Sequence, residues 1–266
     1  MLMRKSKIGE TPLGPSNLFC NMNGSAAFRI VETYKSIRTS LMFTLANGDD
    51  NAILVTSAEP NSGKSVTTAN LALSFAQTGA KVLIVDCDMR NPSQQKIFAR
   101  ENTKGLSNVL CGMCSFADTV KRNVQENLDL LTAGQIPPNP SELLGSERMH
   151  ALLDALKAQY DFVLLDSPPV EAVSDTISLV LNASQVVIVA RQNHAIYAEV
   201  THTVETIKTV GGKILGAILT DVHEDGKSYS YAAGAYSHYG RSKRYGYGYY
   251  GSAVEKNAPV ESKAKK

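Results

Sequence analysis

Long apolar runs are missing from this 266-residue chain. The nearest candidate, Ile177 to Ala190, is interrupted by Ser178, Asn182, Ser184 and Gln185, whereas a membrane-crossing helix needs about 18 or more apolar residues in succession. The opening MLMRKSKIGETPLG has basic residues but no apolar stretch of the kind a secretory signal requires. The expectation is a cytoplasmic protein that meets a membrane only through a partner. Cysteine is scarce, with four residues at 20, 87, 111 and 114, and this does not make the disulfide framework of a small secreted fold. An excess of one charge is lacking too: 27 Lys and Arg stand against 25 Asp and Glu, so no whole-molecule field draws the chain to nucleic acid. A 43% hydrophobic share is enough for a substantial core and excludes a wholly disordered or fibrous protein.

What charge there is sits unevenly. From Gly226 onward eight Lys and Arg accompany two Glu, leaving a tail of about +6 on a body of about −4. The same tail, rich in Gly, Ser and Tyr, holds eight of the 11 tyrosines: Tyr229, Tyr231, Tyr236, Tyr239, Tyr245, Tyr247, Tyr249 and Tyr250. With hardly an aliphatic residue it cannot bury enough apolar surface to offset its ordering entropy.

Before the tail, short apolar runs alternate with amphipathic stretches. AILVTS (52–57), KVLIVD (81–86), LDLLTA (128–133), DFVLLD (161–166), QVVIVA (185–190) and KILGAILT (213–220) read as buried strands. Helices are expected from Ser25, which is placed to cap a segment with Phe28, Val31, Tyr34, Ile37, Leu41 and Leu45 at helical spacing, and over 65–78, 146–158 and 196–210. Buried strands joined by helical crossovers imply a parallel sheet covered on both faces. The expected architecture is therefore an α/β fold of P-loop type, a parallel sheet sandwiched between helices, over residues 25–222. An extended arm precedes it at 1–24, and a disordered tyrosine-rich tail follows at 223–266.

Between the first strand and its helix lies Ala58-Glu59-Pro60-Asn61-Ser62-Gly63-Lys64-Ser65, followed by Val66. In that context the loop and the helix N-terminus can wrap phosphates with backbone N–H groups, Lys64 can reach the β/γ oxygens, and the Ser65 hydroxyl can serve Mg²⁺. Ala58 stands where the first Gly of GxxxxGK[ST] usually is. The second strand ends in Asp86-Cys87-Asp88 and the fourth in Asp166-Ser167-Pro168-Pro169; parallel strands finish on the edge that carries the P-loop, so the three carboxylates can converge there on ATP and Mg²⁺.

The segments SAEPNSGKS, VLIVDCDMRNP and FVLLDSPP, in this order and followed by clustered tyrosines, resemble the Walker A, A′ and B motifs of the bacterial tyrosine kinases that control capsular and exopolysaccharide synthesis. Glu32, Lys35 and Arg38 fall on that family's E-x-x-R-x-x-R subunit-contact motif, with Lys35 in place of its first Arg, and GQIPPNPSELL (134–144) is similar to a family segment. Asn61, Ser62 and Thr220 depart from the family's usual residues, Thr220 where an Asn often reads the adenine. The resemblance implies an ATP:protein-tyrosine phosphotransferase that modifies its own tail tyrosines in trans and regulates polysaccharide polymerisation and export. It also implies a ring-shaped homo-oligomer when unphosphorylated, a separate transmembrane activator of the polysaccharide copolymerase type that recruits the chain to the inner face of the membrane, and a cognate tyrosine phosphatase.

Resemblance and chemistry together imply catalytic roles for Lys64, Asp86, Asp88 and Asp166. Asp86 is favoured as the base that takes the tyrosine proton, with Ser65, Asp88 and Asp166 serving the metal directly or through water; the division among the three carboxylates stays open. Arg90 and Arg191 are expected in ion pairs. Cys111-Gly112-Met113-Cys114 has CxxC spacing without a second pair, and the five histidines show no ligand spacing. The competing reading is a nucleotide-switched scaffold ATPase of the ParA and MinD type. Such proteins place an additional lysine near the start of the P-loop, where Ala58 and Glu59 stand, and have no use for a tyrosine cluster.

Overall fold

The computed structural model describes residues 13–45, 50–183 and 185–222, all within the unit Met1–His223. The tail tyrosines lie outside the described residues. Seven strands form one sheet: β1 (Ala52–Thr56), β2 (Val82–Asp86), β3 (Lys121–Gln125), β4 (Leu128–Leu131), β5 (Phe162–Asp166), β6 (Gln185–Arg191) and β7 (Lys213–Thr220), in the spatial order β3-β4-β2-β5-β1-β6-β7. All pairs are parallel except β3 with β4. The helices are α1 (Gly24–Leu45), α2 (Lys64–Ala76), α3 (Gln94–Ile97), α4 (Leu106–Leu110), α5 (Phe116–Thr119), α6 (Pro140–Leu144), α7 (Glu147–Lys157), α8 (Asp175–Val180) and α9 (Tyr197–Thr209).

The central strands are apolar on both faces because both faces are covered, and successive side chains go to opposite cores. Ile53, Val55, Ile84 and Leu164 pack with Leu71 and Phe75 of α2. Leu54, Leu83, Val85 and Leu165 pack instead with Leu153 of α7 and Leu179 of α8. Phe75 stacks at 4.2 Å between ring centroids on Phe162, tying α2 to β5. No described helix is long and apolar enough to cross a membrane.

Three features depart from the sequence reading. Strand β3 was not expected: KRNVQ is polar because it is an edge strand, and it forms an irregular hairpin with β4 in which Asn123 and Asn127 take positive φ. Helix α1 starts at Gly24, so Ser25 lies inside its first turn, and Phe28 is exposed although Leu41 and Leu45 are buried as their spacing implied. The described part of the expected extended arm is folded, with 3-10 turns at Pro15–Asn17 and Phe19–Asn21. Leu18 and Phe19 are buried, and Asn70 of α2 clamps this strap by accepting the Phe19 N–H at 2.8 Å and donating to the Asn17 carbonyl at 2.9 Å.

Candidate functional site

The ends of β1, β2 and β5 carry the three motifs to one edge. The turn into α2 is made by Asn61 and Gly63, at φ 59° and 86°; Gly63 tolerates the left-handed backbone without a Cβ penalty, and Asn is the side chain that visits it most readily. Residues 60–66 then line a cavity of about 530 Å³ together with Asp88, Arg90, Pro168 and Arg191. Lys64 Nζ sits 3.3 Å from Asp88 Oδ2, both nearly buried. The expected phosphate cradle and one expected carboxylate are therefore side by side.

Asp86 and Asp166 are register partners on neighbouring strands and are both fully buried. Asp86 accepts the backbone N–H groups of Asp88, Ser93 and Gln94 at 3.0 to 3.2 Å. Burial, and then the charge of Asp166, nevertheless push its carboxyl well above the usual carboxylate range. Burial also raises Asp166, against the opposing pull of the Lys64 ammonium, the Gln94 amide and the Ser65 hydroxyl. Asp166 Oδ2 accepts from Gln94 Nε2 at 2.7 Å, while its Oδ1 is buried without a hydrogen-bond partner.

That orphaned oxygen, in a site with a nearby serine hydroxyl, fits a hard cation that binds oxygen. Among the described residues no three His, Cys, Asp or Glu close into a metal cage. Mg²⁺ is a cation of that kind, one that usually keeps several waters and takes one or two carboxylates plus substrate phosphates. Ser65, Asp88 and Asp166 are the residues that could hold such an ion.

Other expected residues have partners outside the carboxylate cluster. Ala58 and Glu59 line a separate narrow cleft with Val189 and His194, and the Glu59 carboxylate accepts the Ile196 N–H at 2.7 Å. Thr220 is bonded to the loop itself, its hydroxyl donating to the Ser62 carbonyl at 2.6 Å. Arg90 is in a two-pronged pair with buried Asp175, and Arg191 pairs with Asp221, as expected of both. On α1, Glu32 and Lys35 pair with each other at 2.8 Å on the exposed face, and Arg38 turns inward to the carbonyl and hydroxyl of Ser74.

Two residues important to the site had no signal in the sequence. Gln94 is fully buried and bridges the Ser65 carbonyl to Asp166; in RNPSQQKIF it looks like any solvated glutamine. Asp175 joins Arg90 to Ser141, linking the loop after β2 to the GQIPPNPSELL segment. Its partners are 34 and 85 residues away, beyond any local pattern.

Residues 51–216 match the family described as AAA domain. The chain is 38% identical over 204 residues to the putative tyrosine-protein kinase CapB of Staphylococcus aureus, covering 76% of this chain and 89% of that protein. It is 37% identical over 219 residues to the putative tyrosine-protein kinase EpsB of Ralstonia nicotianae, a longer protein of which it spans only 29%. The solved kinase domain of Escherichia coli tyrosine kinase ETK is similar at a TM-score of 0.74 and 32% identity, over 85% of this chain and 87% of that one. The septum site-determining protein MinD of Pyrococcus horikoshii, solved with Mg-ADP, is more distant, with a TM-score of 0.55 and 24% identity over 64% of this chain and 70% of that one. This last likeness is one of fold alone.

Proposed function

Because the chain belongs to the bacterial tyrosine-protein kinases, we propose that it transfers the γ-phosphoryl group of ATP to the clustered tyrosines of its own tail, between neighbouring copies. The observation that carries this reading is the meeting of Lys64 with Asp88 in the lining of the P-loop cavity, at the strand ends that also carry the register pair Asp86 and Asp166. A P-loop ATPase needs the cradle; a kinase also needs a carboxylate able to take the proton of a tyrosine hydroxyl, whose ordinary pKa is near 10.

In this reading Lys64 leaves Asp88 for the β/γ oxygens and neutralises charge that develops on transfer. The loop N–H groups and the first turn of α2 fix the phosphates. A bound magnesium ion would supply further screening of phosphate charge. Asp88 lines the cavity, whereas Asp86 is fully buried behind that lining, its carboxyl raised by burial and then by the charge of Asp166. Asp86 is retained as proton acceptor: its three backbone N–H bonds use two lone pairs of Oδ2 and one of Oδ1, which leaves Oδ1 a position for the proton. Gln94 keeps Asp166 turned toward Ser65.

The same reading includes Tyr229, Tyr231, Tyr236, Tyr239, Tyr245, Tyr247, Tyr249 and Tyr250 as acceptors, a role in capsular or exopolysaccharide synthesis, a transmembrane activator, a phosphatase that resets the tail, and a ring held through α1. For the ring, Arg38 must exchange its bonds to Ser74 for a neighbour, or act by holding α1 in place. The scaffold ATPase alternative has only the shared fold in its favour. The deciding experiment incubates the purified chain with Mg·ATP, with and without a cytoplasmic segment of the membrane partner, and maps the phosphosites. Phosphate on the tail tyrosines supports the kinase; release of inorganic phosphate without phosphotyrosine supports the scaffold.

A further inference from the structure

The rear of the P-loop is tied to α9 in a way that local capping does not explain. The residue preceding α9 is Ile196, whose side chain cannot accept a hydrogen bond, and the helix has no cap of its own. Its place is taken from 137 residues away: Glu59 Oε1 accepts the Ile196 N–H at 2.7 Å, and Oε2 lies 2.8 Å from His194 Nδ1. The Glu59 side chain is only 13% exposed. Its own carbonyl accepts the Ser57 hydroxyl at 2.7 Å, so both ends of the residue are fixed. A second bond runs from the same helix to the neighbouring catalytic loop, the buried Thr203 hydroxyl donating to Glu171 Oε1 at 2.8 Å, and the Glu171 N–H donates back to the Ala58 carbonyl at 3.3 Å. Helix α9 thus grips both loops that follow β1 and β5.

We propose that Glu59 is a positioning residue of the nucleotide site, holding the first half of the P-loop in its phosphate-binding shape by anchoring it to the N-terminus of α9. This inference rests on the nucleotide reading of that loop. Glu59 is not among the residues that line the cavity bounded by Pro60 to Val66, and its carboxylate is engaged by Ile196 and His194 instead. Its effect is through the backbone, because small displacements of a preorganised cradle cost binding out of proportion to their size. A cap alone would stabilise α9 and leave the site indifferent.

The test separates these roles. Binding of a fluorescent ATP analogue, phosphorylation rate at saturating ATP and melting temperature are measured on wild type, Glu59→Ala, Glu59→Gln and Ser146→Ala. Ser146 caps α7 through the Met149 N–H, so its loss costs a helix cap far from the loop. Glu59→Ala should weaken nucleotide binding by about tenfold and leave the saturated rate within about twofold. Glu59→Gln keeps an acceptor for Ile196 and should recover most of the affinity. Ser146→Ala should lower the melting temperature without weakening binding. Wild-type affinity in folded Glu59→Ala, or an equal loss in Ser146→Ala, would overturn the positioning role. Wild-type protein that does not bind the analogue at all would overturn the nucleotide reading itself, and this inference with it.

Discussion

Two groups of buried acid lie at opposite ends of the same sheet, and they are treated differently. At the start of β4, Asp129 accepts from Arg122 Nη1, the Tyr160 hydroxyl and the Asn123 N–H, each at 2.7 Å. Burial, and then the Asp129 bond, hold the Tyr160 phenol above its ordinary range. At the far ends of β2 and β5, Asp86 and Asp166 face each other with raised proton affinities, and one oxygen has no partner. Both groups pay a desolvation penalty. Within the described residues the first is answered in full and the second leaves Asp166 Oδ1 unanswered, which is the contrast between an acid that holds the fold and the pair proposed to receive a ligand.

The largest expected effect comes from removing the ammonium that lies beside the second group. Lys64→Met should lower tail phosphorylation by at least about 10³-fold with an unchanged fold; retained phosphotyrosine in a folded variant would deny the site its role. Within the pair, Asp86→Asn should lower turnover by about 10² to 10⁴ while keeping nucleotide binding. Asp166→Asn should chiefly weaken magnesium-dependent binding. Equal loss of affinity in both would show base and metal ligand to be wrongly divided.

Stability should reverse the order. Asp129→Ala leaves the Tyr160 hydroxyl and the Asn123 N–H without their acceptor and should cost about 2 kcal/mol, discounted because Arg122 is half-exposed, with ATP affinity unaffected. Asp166→Asn relieves a charge repulsion and should melt at or above the wild-type temperature. Denaturant titrations of the two variants compare them directly, and a larger loss in Asp166→Asn would erase the distinction.

The pH response is a finer measure. A carboxyl whose folded pKa is raised binds its proton more tightly when folded, so its unfavourable contribution grows as pH rises from the unfolded value, about 3.9, and levels off above the folded one. Subtracting the Asp166→Asn stability curve from that of wild type should therefore expose a loss with rising pH; a flat difference would count against raised affinity. The smallest effect belongs to an exposed pair. Glu171 raises the His202 pKa, first through its hydrogen bond, and is itself lowered despite its partial burial by His202 and Thr203. Their mutual stabilisation is present between about pH 4.5 and 6.5, fading as pH rises through the His202 value or falls through that of Glu171. An NMR titration of His202 in Glu171→Gln should show its pKa moved back down.

The satisfied and unsatisfied acids also mark how far the sequence could be read. The P-loop, both Walker strands and the parallel core were legible because they rest on local patterns: apolar runs, a glycine before lysine and serine, and aspartates at strand ends. Gln94, Asp175 and the Asp129 cluster were not, since a polar residue acquires its meaning from partners dozens of positions away. Glu59 was legible as part of a phosphate loop but not in its actual direction, because backbone N–H groups define such a loop and its side chains are free to face elsewhere. Strand β3 escaped notice for a related reason: an edge strand carries little of the apolar signal that reveals its neighbours.

The docked strap has a consequence for the order in which the molecule assembles during synthesis. Leu18 and Phe19 are made before their berth: the Asn70 side chain that clamps the backbone of Phe19 and Asn17 follows 51 and 53 residues later, on a helix that itself needs β1 and β5 beneath it. The first described segment to be made has no berth until much of the core exists. Two large apolar side chains therefore wait in solvent until β5 has been made, and this early segment closes the structure rather than starting it.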